Sequence, residues 1–97
     1  MTTKIMLYIG ADNKTKKINE EYQNKIEKIL TKYWDNFTLT KHKGCYEGSV
    51  EESISAVIMV LQIVFKDLDN CIEELKVKLV QDTIGLEIIA DIDFKLR

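Results

Sequence analysis

The sequence predicts an α+β fold of the ferredoxin-like type, in which two helices cover one face of a four-stranded antiparallel sheet. The spacing of hydrophobic residues changes along the chain and gives the element order β-α-β-β-α-β. Right-handed crossovers between these elements favour the strand order 4-1-3-2. The first and third strand-like runs are apolar on both faces, and this order places them in the centre of the sheet, so pattern and topology agree.

The length and composition are those of one small globular domain, residues 1–97. The chain has 97 residues, of which 45% are hydrophobic and 31% are charged, and this size leaves room for one core. A domain this small buries a limited fraction of its surface and is marginally stable by itself. We therefore expect it to form a homodimer.

The first half of the chain predicts a strand, a helix and a second strand. Residues 4–10 form a short apolar run that ends in turn-forming residues. From Thr15 the hydrophobic period becomes three to four residues, and Thr15 or Asn19 is placed to cap a helix. Residues 37–43 alternate like a half-buried strand. The predicted buried stripe of the helix comprises Ile18, Tyr22, Ile26, Ile29, Leu30 and Tyr33.

The second half predicts a central strand, a second helix and a last strand. Residues 55–65 are apolar on both faces for most of their length, and Asp67 or Asp69 then opens the helix. The period returns to two at Ile84 and continues to Leu96, as expected of an edge strand. The predicted buried stripe of the second helix comprises Leu68, Ile72, Leu75 and Leu79, flanked by Cys71 and Val80.

Charge and hydropathy restrict the partners. The net charge is -2, and lysines are interleaved with acidic residues, so we expect no binding of duplex DNA. Residues 54–65 are too short for a membrane span and are interrupted by Gln62, so no membrane partner is predicted and a cytoplasmic location is expected. In that compartment Cys45 and Cys71 would stay reduced.

A polar segment bracketed by glycines, residues 44–53, separates the second and third strands and is the best candidate for a site. In one interpretation Gly44 and Gly48 supply positive φ angles or a bulge for a hairpin, and Tyr46 packs at its base. In the other, Tyr46 stacks on a ring and the glycine amides approach a phosphate, so that the segment forms one wall of a pocket. The candidate ligand-binding residues are Tyr8, Lys43, Gly44, Tyr46, Gly48, Glu51 and Ser53.

No pattern of catalytic or metal-binding residues stands out. His42 and Cys45 are three residues apart, but a strand sends those positions to opposite faces, and no second cluster of His or Cys completes a site. No metal, cofactor or catalytic residue is therefore predicted. The carboxylates Asp91 and Asp93 are interpreted as a solvated strand edge.

The sheet face without helices is predicted to be apolar and open, because Met6, Tyr8 and one alternate set of the third strand lie on it. Either two sheets pack face to face or the face forms a ligand pocket. RNA binding is a further alternative for this topology, although Tyr8 is the one aromatic residue suited to base stacking on the central strands.

Three short segments carry a family resemblance. They are residues 7–10, the Gly44-x-Tyr46-x-Gly48 and Glu51-x-Ser53 elements, and residues 81–84 before the last strand. The chain resembles a group of short bacterial and phage proteins catalogued as a domain of unknown function. The resemblance implies a phage or mobile-element setting and brings no established activity.

These observations predict a small non-enzymatic binding protein, a homodimer joined through the open sheet face. It would sequester a nucleotide-like signalling molecule or block a host defence protein, in a counter-defence role. Two alternatives remain open. The first is a small enzyme that acts on a nucleotide-like ligand, with Glu51 or His42 as general base. The second is an RNA-binding or purely structural interaction module.

Overall fold

The computed structural model describes residues 2–92, without the side chains of Tyr46, Asp91 and Ile92. The sequence pattern assigns Phe94 and Leu96 to the last strand and interprets Asp93 as part of a solvated strand edge. These three residues lie outside the described residues. The elements are β1 (Thr2–Gly10), α1 (Glu20–Leu30), β2 (Thr38–Tyr46), β3 (Ser49–Val60), α2 (Phe65–Leu79) and β4 (Gly85–Ile92).

The predicted fold class and strand order are confirmed. The four strands form one sheet in the order β2-β3-β1-β4, with every neighbouring pair antiparallel, and the helices make this an α+β ferredoxin-like fold. The core lies between the helices and one sheet face, where the apolar residues of β1 and β3 meet both helices. The buried hydrophobic side chains are Ile5, Leu7, Ile9, Ile18, Tyr22, Ile26, Ile29, Leu30, Ile54, Ala56, Ile58, Leu68, Cys71, Leu75 and Leu79.

The start of α1 follows the sequence prediction. Asn19 is the N-cap residue, and its side-chain oxygen accepts a hydrogen bond of 2.8 Å from the backbone N–H of Tyr22. Glu20 and Glu21 occupy the first turn and Lys28 occupies the last turn. These charges interact favourably with the helix dipole and stabilise both ends of the helix.

The boundary between β3 and α2 differs from the prediction. β3 ends at Val60, and the chain leaves the sheet at Leu61, whose side chain is 83% exposed. α2 then begins at Phe65, ahead of Asp67 and Asp69, and its N-cap residue Val64 makes no side-chain capping bond. The predictions of a strand through residue 65 and of an aspartate cap were wrong, because neither glycine nor proline marks the end of the apolar run.

Leu68, Leu75 and Leu79 of α2 are buried as predicted, whereas Ile72 and the two flanking positions differ from the prediction. Cys71 is fully buried, whereas Ile72 is only partly buried at the edge of the core. Val80 does not flank the stripe. It is exposed and adopts the left-handed conformation (φ 53°) just after the helix.

Residues 44–53 belong to a β-hairpin, as the first interpretation held. β2 and β3 pair without a register shift up to Tyr46 opposite Ser49. The two turn residues, Glu47 (φ 51°) and Gly48 (φ 79°), both have positive φ, as a type I′ turn requires. Gly48 therefore has its predicted role. Gly44 does not, since it lies inside β2 opposite Glu51 with no positive φ.

Candidate functional site

The sheet face opposite the helices, which we call the open face, is divided into a polar and an apolar half. Tyr8 pairs with Ser55 and Met6 with Val57, and side-chain alternation places all four opposite the buried positions Ile5, Leu7 and Ile9. Towards the end of the sheet where β1 finishes, the open face carries polar residues. Towards the other end it carries the apolar residues Met6, Val57, Met59 and Ile89, with Lys4 of β1 between Met59 and Ile89.

Four polar side chains, one from each strand, cross the open face in a line that we call the polar row: His42, Ser55, Tyr8 and Glu87. The Nε2 atom of His42 lies 2.8 Å from the Oγ atom of Ser55, which is only 4% exposed although it faces away from the helices. The Tyr8 hydroxyl donates a 3.3 Å hydrogen bond to Oε1 of Glu87. The sequence pattern predicted an apolar face, and that prediction was wrong for the part of the face that carries the polar row.

The Tyr8 ring is held in place while 43% of the residue remains exposed. Gly85 is its partner on β4, and a Cβ atom added there would lie 3.0 Å from Cβ and 3.2 Å from Cδ2 of Tyr8. The missing side chain of Gly85 thus leaves the space that the ring uses. Desolvation, followed by the charge and hydrogen bond of Glu87, raises the pKa of Tyr8 and further favours the protonated hydroxyl that donates to Glu87.

Glycines surround the polar half of the open face. Gly85 pairs with Tyr8, Gly10 pairs with Ser53, and Gly44 pairs with Glu51, so the register assigns all three glycines to this face. None of them contributes a side chain. Neighbouring side chains already use the space at two of these positions, because the Tyr8 ring lies against Gly85 and a Cβ atom added at Gly10 would lie 3.1 Å from Oε1 of Gln81.

Three of the segments that carry the family resemblance, residues 7–10, the Glu51-x-Ser53 element and residues 81–84, meet at this end of the sheet. Gln81 donates from Nε2 to the Ala11 carbonyl at 2.8 Å and to the Tyr22 hydroxyl at 3.1 Å. Tyr22 in turn donates to the carbonyl of Gly10 at 2.7 Å. Because Gly10 also pairs with Ser53, residues that are far apart in the sequence form one continuous structure.

The helix side of the same hairpin carries a second group of residues. Lys43 follows His42 in β2 and, by alternation, lies on the face opposite the polar row. Glu52, its partner on β3, accepts a 2.6 Å hydrogen bond from the backbone N–H of Ile18 and donates its own N–H to the carbonyl of Lys16 at 3.4 Å. These bonds attach the loop after β1 to the hairpin.

The predicted site residues therefore do not form one cluster. Tyr8, Gly44, Glu51 and Ser53 share the open face by register, whereas Lys43 lies on the helix side and Gly48 in the turn. The side chain of Tyr46 lies outside the described residues. The contact between His42 and Ser55 was not predicted from the sequence, although a serine inside an apolar strand was an available signal.

The cysteines are separate and free. Cys45 is exposed on β2 and Cys71 is buried in α2. Burial raises the pKa of the Cys71 thiol to about 12. Within the part of the chain that the structure describes, no three His, Cys, Asp or Glu side chains are grouped to hold a metal ion. Neither described helix is long and apolar enough to cross a membrane.

The fold defines a small α+β protein of the ferredoxin-like class, and the solved structures that are similar to it include the following three. A DUF3240 family protein from Shewanella baltica OS155 matches with a TM-score of 0.62 at 11% identity, over 98% of this chain and 96% of its own. A phage SAM lyase in its apo state matches with a TM-score of 0.62 at 17% sequence identity, and the match covers 90% of this chain and 78% of the lyase chain. The periplasmic divalent cation tolerance protein CutA from Archaeoglobus fulgidus matches with a TM-score of 0.52 at 16% sequence identity. That match covers 100% of this chain and 89% of the CutA chain.

At these identities the likeness concerns the fold. No family model and no curated protein matches the sequence. The similarity to the DUF3240 family protein is consistent, at the level of the fold, with the predicted resemblance to a domain of unknown function. The assignment of the short motifs to such a family remains a prediction.

Proposed function

We propose that this protein is a non-enzymatic binding protein that takes a small nucleotide-like ligand on the polar half of the open face. The observation that carries the proposal is the exposed Tyr8 ring, which Gly85 and Glu87 hold in one orientation. Stacking of a base on an aromatic ring contributes about 1–3 kcal/mol, and a ring that is already fixed loses little entropy on binding.

The surroundings of Tyr8 support a ligand with both a flat ring and polar groups. Ser53 and His42 offer hydrogen-bond donors and acceptors on the same face as the ring, and Glu51 lies two residues farther along β3. Gly44, which pairs with Glu51, adds no side chain to this part of the face. This combination of one aromatic surface and a few polar groups is common in small-molecule sites.

We also propose that two copies associate through the apolar half of the open face, so that the polar half borders the contact. Met6, Val57 and Met59 are only partly buried within one chain, and Ile89 is exposed. A second copy would remove this surface from water. Sedimentation of the Val57→Lys variant is the test: the variant should be monomeric where the unchanged protein is dimeric, and a monomeric unchanged protein would contradict this proposal.

The biological role proposed is counter-defence, through sequestration of a signalling nucleotide or blockage of a host defence protein. The phage setting implied by the family resemblance supports it, and so does the likeness in fold to a phage SAM lyase. RNA binding is less well supported, because Tyr8 has no aromatic neighbour on β3 to stack a second base.

Calorimetric titration with AMP, ATP and SAM tests ligand capture. Tyr8→Ala should weaken binding of the preferred probe by roughly tenfold or more, in line with the stacking energy. Tyr33→Ala is the matched control, since Tyr33 packs beside Trp34 away from the open face and should leave affinity unchanged. Absence of binding to all three probes, or equal loss in both variants, would contradict the proposal.

A second candidate is a small lyase, favoured by the 2.8 Å contact between His42 and Ser55 and by the fold of the phage SAM lyase. In an elimination, His42 would take a proton from carbon. The C–H electron pair would form the new bond, and the leaving group would depart with the electrons of its own bond. Incubation with SAM followed by chromatography separates the candidates: turnover that is lost in His42→Gln and kept in Lys41→Gln would establish a lyase and replace simple capture.

A further inference from the structure

The cleft between the loop after β1 and the helix side of the hairpin has the features of an anion site. It encloses about 350 Å³, a volume suited to a small ligand. Three lysines from two separate segments line it, with one carboxylate. We call it the lysine cleft, and its residues are Thr15, Lys16, Lys17, Lys43, Val50 and Glu52.

The charges in the lysine cleft are not balanced from within. Within the described part of the chain Lys16, Lys17 and Lys43 form no ion pair, whereas Lys32 is paired with Glu74 on the helices. The single carboxylate, Glu52, already accepts the hydrogen bond from the backbone of Ile18. Three positive charges thus face one negative charge, and an anion that enters the cleft gains attraction from at least two of them.

The loop that carries Lys16 and Lys17 is already ordered by its own hydrogen bonds. The Asp12 carboxylate accepts from the N–H groups of Lys14 at 2.8 Å and Thr15 at 3.1 Å, and the Asp12 carbonyl accepts from Lys16 at 2.8 Å. Lys16 is held in the left-handed conformation at φ 61°, which is uncommon for a lysine. Residues kept in such conformations are frequent at ligand sites, because the surrounding bonds fix the groups that contact the ligand.

We infer that the lysine cleft binds a small molecule through a phosphate or a comparably charged oxyanion group. The site is on the face of the hairpin opposite Tyr8, so it is separate from the site of the proposed function. A cleft of this volume is larger than inorganic phosphate needs, so we expect an organic phosphate to bind more tightly than the free anion.

Two-dimensional amide NMR with pyrophosphate, AMP, succinate and uncharged adenosine as probes tests this inference. Pyrophosphate and AMP should give saturable shifts at Lys16, Lys17 and Lys43, while adenosine should leave those amides unchanged. Succinate distinguishes the two oxyanion classes: saturation by succinate alone would identify a carboxylate ligand and overturn the phosphate assignment. Shifts that are linear in concentration or spread over all lysines would overturn the site itself.

Charge variants give the second readout. Lys43→Gln and Lys17→Gln should each weaken pyrophosphate binding, by roughly tenfold, because each removes one charge-assisted contact. Lys28→Gln on α1 is the matched control and should have no effect. Glu52→Gln retains an oxygen for the bond from Ile18 but removes the negative charge, so it should bind pyrophosphate more tightly; weaker binding with an unchanged spectrum elsewhere would contradict the inference.

Tyr8→Ala separates this inference from the proposed function. The variant lacks the ring on the open face and should bind pyrophosphate as the unchanged protein does. If the lysine variants bind pyrophosphate normally while Tyr8→Ala loses AMP, the lysine cleft is excluded and the open-face site stands. The reverse pattern excludes the open-face site and retains the lysine cleft.

Discussion

The hydroxyl of Tyr22 on α1 donates a 2.7 Å hydrogen bond to the carbonyl of Gly10 at the end of β1. The same hydroxyl oxygen accepts from Gln81 at 3.1 Å, so it joins the first helix, the first strand and the segment after α2. Tyr22 is buried, and its hydroxyl therefore has no easy replacement by water.

Tyr22→Phe is expected to lower the free energy of unfolding by about 1–2 kcal/mol, because it leaves the Gly10 carbonyl and the Gln81 amide with one partner fewer. Urea unfolding measures the change. Tyr33→Phe is the control: its hydroxyl bonds to Glu74 near the surface and should matter less. Equal effects of the two variants would contradict the structural role of Tyr22.

Val80→Gly is expected to stabilise the protein by roughly 1 kcal/mol. Val80 ends α2 at φ 53°, a conformation that a β-branched residue rarely adopts and that glycine adopts freely. Its side chain is 74% exposed, so little packing is lost. Val77→Gly, an exposed position inside the same helix, should instead destabilise by about 0.5 kcal/mol. Thermal unfolding of both variants tests this opposition of sign, and a lower melting temperature for Val80→Gly would refute it.

A thiol reagent at pH 8 is expected to modify one cysteine in the native protein and two after unfolding. Cys45 is exposed, whereas Cys71 is fully buried and burial raises its thiol pKa to about 12, so almost no thiolate exists at that pH. Absorbance from Ellman's reagent counts the modified thiols. The Cys45→Ser variant should give no rapid reaction until it is unfolded; a fast reaction of that variant would mean that Cys71 is accessible.

Acid is expected to remove a stabilising contribution of Glu74. The hydrogen bond from Lys32, followed by that from Tyr33, lowers the pKa of Glu74 below its usual range. A depressed folded-state pKa contributes stability above the unfolded-state pKa, and this contribution is lost as the pH falls through the folded-state value. The difference in unfolding free energy between the unchanged protein and Glu74→Gln should therefore shrink below about pH 4. Parallel pH curves for the two proteins would disprove this contribution.

The sequence was sufficient for the fold because its strongest signals are periodic. The runs that include Ile5 and Ile58 contain the longest apolar stretches, and both strands are central in the sheet, where their helix-facing side chains are buried. The boundary after Val60 was not predictable. Leu61 and Val64 are as apolar as the strand, and only tertiary packing decides that they lie outside it.

The candidate site was predictable only in part. Gly48 predicted a turn, because a type I′ turn needs residues with positive φ, and Gly48 lies in such a turn in the structure. Periodicity assigns side chains to one or the other face of the sheet. Once the strand register is known, it therefore places Tyr8 and Lys43 on opposite faces. It could not indicate the bond between Gln81 and Tyr22, because that contact depends on how the chain leaves α2, where no periodic pattern exists.

The hairpin continues beyond the body of the sheet. The pair of Gly10 with Ser53 is the last one between β1 and β3, whereas β2 and β3 stay paired as far as Tyr46 and Ser49. The distal hairpin is thus a two-stranded arm, and such ribbons are weakly stable without support. Hydrogen bonds of Glu52 with the backbone of Ile18 and Lys16 attach the arm to the loop after β1.

The arm borders both proposed sites, with the lysine cleft on its helix side and Tyr8 on the open face near its base. If both sites bind their ligands, we expect bending of the arm about Ser53 towards the open face to narrow the space beside Tyr8 and to widen the lysine cleft, and bending the other way to do the reverse. Ligands that draw the arm in opposite directions oppose one another, and linkage requires that the penalty be equal in both directions. Simultaneous occupancy of the two faces should therefore show negative cooperativity, with the Glu52 contact setting how strongly each face senses the other.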